Sequence, residues 1–215
     1  MNKNFIVLAV AVLMLFGGGF FYRYRTNAAD ERGATKLMRS FEQETDQQKV
    51  LRMIRHADNI NERDKSGRTA LFYAVQHKAD PDMIRHLLHM GADTSITDVT
   101  GQTALMCAAR YNDSEIVLMQ LLLAGAPVNA TDRDGYTALM YAAQFNTPSI
   151  TKKLVRLGAD PDIKTPDGQS AGDLLAANPK FSEQEREDFL LAFRVLSIIG
   201  PHPRGPAQAT ALTTK

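Results

Sequence analysis

The sequence predicts an all-α solenoid of helix–turn–helix units joined by hairpin-like turns, preceded by one N-terminal transmembrane helix. Three observations carry that prediction. A Gly-x-Thr-Ala-Leu pattern recurs with a period of 34 residues, at Gly67, Gly101 and Gly135. Each recurrence leads into a leucine-rich stretch that stops at a glycine. One 18-residue run without a charge, Phe5 to Tyr22, lies ahead of the repeating region.

At about 1.5 Å per residue that run spans roughly 27 Å as a helix, close to the hydrocarbon thickness of a bilayer. Lys3 precedes it, and Arg23 and Arg25 follow. A cleaved signal peptide is the rival reading, with Lys3 as its basic start and Phe5 to Phe16 as its apolar body. Its cleavage region is poor. A cut at Gly17-Gly18-Gly19 leaves Phe20-Phe21-Tyr22 just beyond it, and Thr26-Asn27-Ala28 lies past two arginines. Aromatic residues followed by arginines read as an interfacial belt, so residues 1–25 are assigned as an uncleaved, single-pass anchor of a bacterial-type inner membrane. Orientation stays open between cytoplasm and periplasm. Arg23, Arg25, Arg32, Lys36 and Arg39 favour a cytoplasmic repeat domain, whereas the short N-terminal tail and signal-like start favour export.

The repeats come next. Asp64-Lys65-Ser66-Gly67-Arg68-Thr69-Ala70-Leu71 aligns with Asp98-Val99-Thr100-Gly101-Gln102-Thr103-Ala104-Leu105 and with Asp132-Arg133-Asp134-Gly135-Tyr136-Thr137-Ala138-Leu139. Later in each unit stand Leu87-Leu88, Leu121-Leu122 and Leu154-Val155, leading into Gly91-Ala92-Asp93, Gly125-Ala126-Pro127 and Gly158-Ala159-Asp160. The glycine of each opening suits a turn position of positive φ, and the aspartate can accept from nearby backbone N–H groups. Thr69, Thr103 and Thr137 stand where a helix N-cap is needed. Small residues at Ala74, Ala108-Ala109 and Ala142-Ala143 allow close approach of helices, and Gly91, Gly125 and Gly158 stop the second helix.

A 34-residue period also fits tetratricopeptide repeats, but the chain has no tryptophan and its units open with Asp-x-x-Gly-x-Thr. The combined pattern resembles the ankyrin repeat family over residues 30–199. The resemblance implies five units, at 30–63 (a divergent cap), 64–97, 98–131, 132–164 and 165–199 (a second cap). In the first, Asp30, Gly33, Thr35 and Leu37 take the positions of the turn and N-cap, and Val50, Met53, Ile54 and Ala57 those of Ile84, Leu87, Leu88 and Gly91. In the last, Gly172 replaces the leucine, and Ser182-x-x-Glu185 reads as a capping box opening a longer helix. Terminal units of a solenoid are atypical because one face has no neighbour. The family's Thr-Pro-Leu-His becomes Thr-Ala-Leu followed by Phe72, Met106 or Met140, so the histidine's hydrogen bonding is absent. Residues 200–215, rich in proline, alanine and threonine, have nothing to pack and read as a disordered tail.

Composition narrows the function. Of 215 residues, 44% are hydrophobic and 23% charged, the balance of a globular chain. Lys plus Arg number 25 against 24 for Asp plus Glu, which argues against nucleic acid as the main partner. A single cysteine, Cys107, excludes an intramolecular disulfide and a Cys-rich zinc site, and it reads as a small buried hydrophobe. Gly17-Gly18-Gly19 lacks the Gly-Lys-Ser/Thr that a phosphate cradle needs. Asp132-x-Asp134-Gly135 starts like a calcium loop, but Ala143 stands where the loop's glutamate belongs. His86 and His89, three apart, could share a metal, yet no further ligand is recognisable and they read as a solvated helix face. No catalytic residue, metal or cofactor is predicted.

The ankyrin resemblance implies a partner surface of hairpin tips and first-helix edges. Onto it map Lys65, Arg68, Gln76 and His77, then Val99, Gln102, Arg110 and Tyr111, then Arg133, Tyr136, Gln144 and Phe145. His77, Tyr111 and Phe145 stand 34 apart, an expected aromatic ladder beside Arg68, Arg110 and Arg133. Aromatic residues and arginine dominate binding hot spots, and arginine pairs bidentately with carboxylates. The expected partner is thus a protein with an acidic or mixed acidic–aromatic segment. Against this stands ordinary packing of Tyr111 and Phe145 between repeats. The resulting expectation is a non-enzymatic, membrane-tethered adaptor, held to the bilayer through residues 5–22. The alternative, on the family resemblance alone, is a chaperone-like or maturation factor for an exported redox enzyme.

Overall fold

A turn closes wherever an aspartate can gather the amides of the residues after it. The computed structural model describes residues 33–44 and 46–199, so the apolar run at 5–22 and the tail at 200–215 lie outside the described residues. Asp64 Oδ1 accepts from the N–H groups of Ser66 and Arg68, each at 2.8 Å. Asp98 and Asp132 gather the amides of their own turns in the same way. Gly101 turns the chain at φ 85°, and a Cβ there would meet the backbone of the next unit, 3.1 Å from Arg133 N. Left-handed backbone and close approach together demand glycine. The hairpin-like connections are turns rather than ladders: among the described residues the Thr97–Thr103 pair forms an isolated β-bridge, and no strand is present.

Each turn delivers the chain into a pair of helices. The pairs are α1 (Lys36–Gln43) with α2 (Gln47–Arg55), α3 (Ala70–Gln76) with α4 (Pro81–His89), α5 (Ala104–Tyr111) with α6 (Glu115–Leu123), α7 (Ala138–Phe145) with α8 (Pro148–Arg156), and α9 (Ala171–Leu175) with α10 (Glu183–Ile199). Thr35, Thr103 and Thr137 cap their helices, each hydroxyl accepting from the N–H three residues on. Thr69 sits at the same position with extended backbone but makes no side-chain cap bond. Helices α1, α3, α5, α7 and α9 stack into one inner layer, and α2, α4, α6 and α8 into an outer one. Ala74, Ala108, Ala109, Ala142 and Ala143 are fully buried in the inner layer, meeting Ile84, Leu87, Leu118, Leu121, Ile150 and Leu154 from the outer layer in one hydrophobic core.

Two departures from strict periodicity are visible. The link between α7 and α8 is one residue shorter than that between α5 and α6, so later units run 33 residues behind. In α2, Val50 and Ile54 are buried, whereas Met53, matched by the 34-residue spacing to the buried Leu87, is half-buried. The first outer helix has a neighbour on one side only, which relaxes its register.

A buried asparagine seam ties the inner helix ends together. Asn146 Nδ2 donates to the carbonyls of Ala109 and Asn112 in the preceding unit, each at 2.9 Å. Asn178 Nδ2 repeats this on Ala143 and Asn146, again at 2.9 Å. These bonds satisfy helix C-terminal carbonyls that no helical N–H can reach. At the far end, Ser182 and Glu185 form a reciprocal cap on α10. The small Gly172 admits Leu190 of α10, and Phe181, Phe189 and Phe193 pack edge to face beneath it. Among the described residues no helix is long and apolar enough to cross a membrane.

Candidate functional site

The residue nine places beyond each turn aspartate decides what the nearby arginines are free to do. Tyr73 OH donates to Asp64 Oδ2 at 2.9 Å, and Tyr141 OH donates to Asp132 Oδ2 at 2.6 Å. The equivalent residue of the middle unit is Cys107, which supplies no hydroxyl to Asp98. Arg68 fills that place, with Nε 3.4 Å from Asp98 Oδ2 and Nη1 donating to Gln76 Oε1 at 3.4 Å. Arg68 and Gln76, both assigned from sequence to the partner surface, are therefore engaged within the array. Burial pushes the Cys107 thiol up to about 12, so it is a packed hydrophobe and a poor nucleophile.

Tyr141 joins two units. Its hydroxyl also receives Gln102 Nε2 at 2.6 Å, which commits another of the expected surface residues to internal bonding. Burial and then the hydrogen bond to Asp132 hold this phenol well above the usual tyrosine range. It stays neutral and donating. Tyr136 leans on it with ring centroids 5.4 Å apart, and Phe145 stacks on it at 6.4 Å.

Arg110 stands at the centre of this aromatic group. Its guanidinium carbon lies 4.4 Å from the Phe145 ring centre, 5.2 Å from that of Tyr111 and 5.6 Å from that of Tyr141. Stacking on aromatic faces is a property of the planar guanidinium that lysine lacks. Among the described residues no acceptor takes a hydrogen bond from its N–H groups, so the fork is held by rings with its donors unspent. Tyr111 is 44% exposed and Phe145 38%, leaving apolar surface on both sides of that charge.

The expected ladder of His77, Tyr111 and Phe145 does not form. Ring contacts run along individual helices, His77 on Tyr73 at 6.3 Å and Phe145 on Tyr141, because a residue four places back is closer than one a whole unit away. The bridge between units is the arginine instead. Lys65 and Arg133 stand exposed at the turn tips beside exposed Val99, and Gln144 is half-buried on α7. His86 Nδ1 lies 2.7 Å from the Asp82 carbonyl oxygen, an internal helix contact. Among the described residues no cluster of three metal-ligating side chains occurs.

Sequence reading missed Tyr141, the second role of Asp98 and Asp132 as acceptors for Arg68 and Tyr141, and the asparagine seam. The spacing of nine from aspartate to tyrosine, present in two units and broken by Cys107, was the signal for the first.

Residues 78–165 match the family model of ankyrin repeats, in three copies. The chain carries ankyrin repeats over that span, which contains Arg110, Tyr111, Tyr141 and Phe145, and such repeats are protein–protein interaction modules. Among curated proteins none matches the chain.

Proposed function

We propose that this ankyrin-repeat protein is a non-enzymatic adaptor that binds another protein on the inner-helix face, around Arg110, and is held at a membrane by residues 5–22. The observation that carries the binding reading is the unspent Arg110 fork between the exposed rings of Tyr111 and Phe145. A guanidinium already fixed by stacking loses little freedom when a carboxylate docks on it, and flanking rings supply the apolar contact of a hot spot. The fitting partner segment carries an aspartate or glutamate beside an apolar or aromatic residue. Lys65 and Arg133 at the turn tips add positive charge around it, steering an acidic segment toward the face.

Exchanging Tyr111 and Phe145 together for alanine tests the binding reading. Loss of partner binding with no more than the modest fall in melting temperature that lost stacking accounts for supports it; a large fall in melting temperature assigns both rings to inter-repeat packing. The tether is tested separately, by fusing alkaline phosphatase or a fluorescent protein to the C-terminus in a bacterial host. Active phosphatase places the repeats outside the cytoplasm and confines partners to envelope proteins. Fluorescence without phosphatase, in the membrane fraction, places them inside. A fusion found wholly in the soluble fraction rejects the tether.

A further inference from the structure

Helix α6 breaks the pattern of the outer layer. Its sequence, Glu-Ile-Val-Leu-Met-Gln-Leu-Leu-Leu, is apolar nearly all the way round, the composition of a helix buried on every side. It is not buried so. Val117, Leu118 and Leu121 face the core, while Ile116 is 60% exposed, Met119 stands out beside it, and Leu123 is 82% exposed. These three are the second, fifth and ninth residues of a nine-residue helix, one stripe along its outer side.

The same three positions on the flanking nine-residue helices are polar or basic. In α4 they are Asp82, Arg85 and His89, and in α8 they are Ser149, Lys152 and Arg156. Both helices pack directly against α6, so an apolar ridge runs between two polar rows, with Arg85 and Lys152 at matching heights and Arg156 at the end of α8. Arg85 shares its charge with Asp82 of its own helix at 2.8 Å, and Lys153 with Glu115, while Lys152 and Arg156 stand exposed.

We propose that the α6 ridge is a docking surface for an anionic lipid bilayer, with Ile116, Met119 and Leu123 entering the interface and the flanking cations meeting headgroup phosphates. Its shape favours lipid over a peptide helix. A peptide helix docks in a groove with walls. Leu123, four-fifths exposed, is a crest, which a soft interface can surround as it does the apolar face of an amphipathic helix lined with lysine and arginine. A second copy of the chain offers Lys152 and Arg156 no unpaired carboxylate at the flanking positions, where the single acid, Asp82, is paired with Arg85. The chain's own tail is no better matched, since residues 200–215 hold Arg204 and Lys215 and no carboxylate side chain. The inference rests on the proposed tether only for local concentration, which a span at 5–22 raises at the bilayer.

The chain contains no tryptophan, so Leu123→Trp introduces a single reporter at an exposed position. The full-length variant is reconstituted with vesicles of phosphatidylcholine, alone or with added phosphatidylglycerol. The expected result is a blue-shifted emission, quenched by nitroxide-labelled lipid, with the anionic vesicles, and loss of both on adding Lys152→Glu and Arg156→Glu. Protein that floats with the vesicles while its emission stays unshifted overturns the docking and leaves the tether standing. Protein that does not float overturns both. An equal shift with neutral vesicles removes the role of the cations and so the proposal as stated. A shift that grows with protein concentration in the absence of lipid, or that appears only with a synthetic glutamate-flanked leucine helix, assigns the ridge to a second copy or to a protein partner instead.

Discussion

The guanidinium carbon of Arg110 lies 4.4 Å from the centre of the Phe145 ring in the following unit. This contact makes one side chain both a link between two repeats and the charge that they jointly present. Its partner residues differ in kind: Tyr141 is buried and hydrogen-bonded, whereas Tyr111 and Phe145 keep free surface. Stacking therefore contributes to stability at one end and to recognition at the other.

Arg110→Lys separates the two contributions. Lysine retains the charge but not the planar fork, so it loses the stacking and costs about 1 kcal/mol of stability. Partner affinity falls nearly as far as with Arg110→Ala if the bidentate fork is what binds. Urea denaturation and a binding isotherm measure the two effects; full affinity in the lysine variant would show that charge alone suffices.

The asparagine seam carries a larger stability cost. Asn146→Ala strands two buried carbonyls, those of Ala109 and Asn112, and is expected to destabilise the array by about 3 kcal/mol. Asn146→Asp is expected to be at least as damaging, because it puts a charged acceptor oxygen where Nδ2 donated to two carbonyl oxygens. Equilibrium unfolding checks both, and a loss below about 1 kcal/mol in either would mean that water replaces the amide.

How much of this was readable beforehand depended on whether a residue's role is set by its own unit. Gly67, Gly101 and Gly135, the threonine caps and the buried alanines serve each unit alike, so periodicity exposed them. Arg68 and Arg110 look interchangeable in sequence. They differ because Cys107 leaves Asp98 for Arg68 to satisfy, a consequence carried across a unit boundary. The asparagine seam escaped notice for a related reason: Asn112 and Asn146 are 34 apart but Asn146 and Asn178 only 32. The α6 ridge was hidden differently, since leucines in a nine-residue helix read as core until their exposure is seen.

Two glycines of similar backbone conformation are expected to differ in tolerance. Gly101→Ala places a Cβ 3.1 Å from Arg133 N, whereas Gly125→Ala, at φ 89°, meets open space. Gly125→Ala should cost only the left-handed strain of roughly 1–2 kcal/mol, and Gly101→Ala clearly more. Thermal denaturation of the pair is the check; equal losses would mean that the turn at Gly101 yields without resistance.

The Cys107 thiol gives a pH signature. Its folded pKa of about 12 lies above that of an unfolded thiol, so the unfolded chain releases this proton first as pH rises. The contribution to stability is complete below the unfolded pKa, near 8.5, and is progressively lost between there and the folded value. Cys107→Ala is expected to lessen the decline of stability between pH 8 and 10, and native protein should resist a thiol reagent until it unfolds. Rapid labelling of the folded chain at pH 8 would contradict the buried thiol.

The claim on which the functional reading turns is that a protein partner touches Arg110 and its rings. A photo-crosslinking amino acid placed at Tyr111 of the full-length chain, in cells that make it, tests this most directly. The account predicts a discrete adduct of one added protein, strongly diminished by Arg110→Ala although the array stays folded. No adduct from this position, or one indifferent to Arg110, would contradict it.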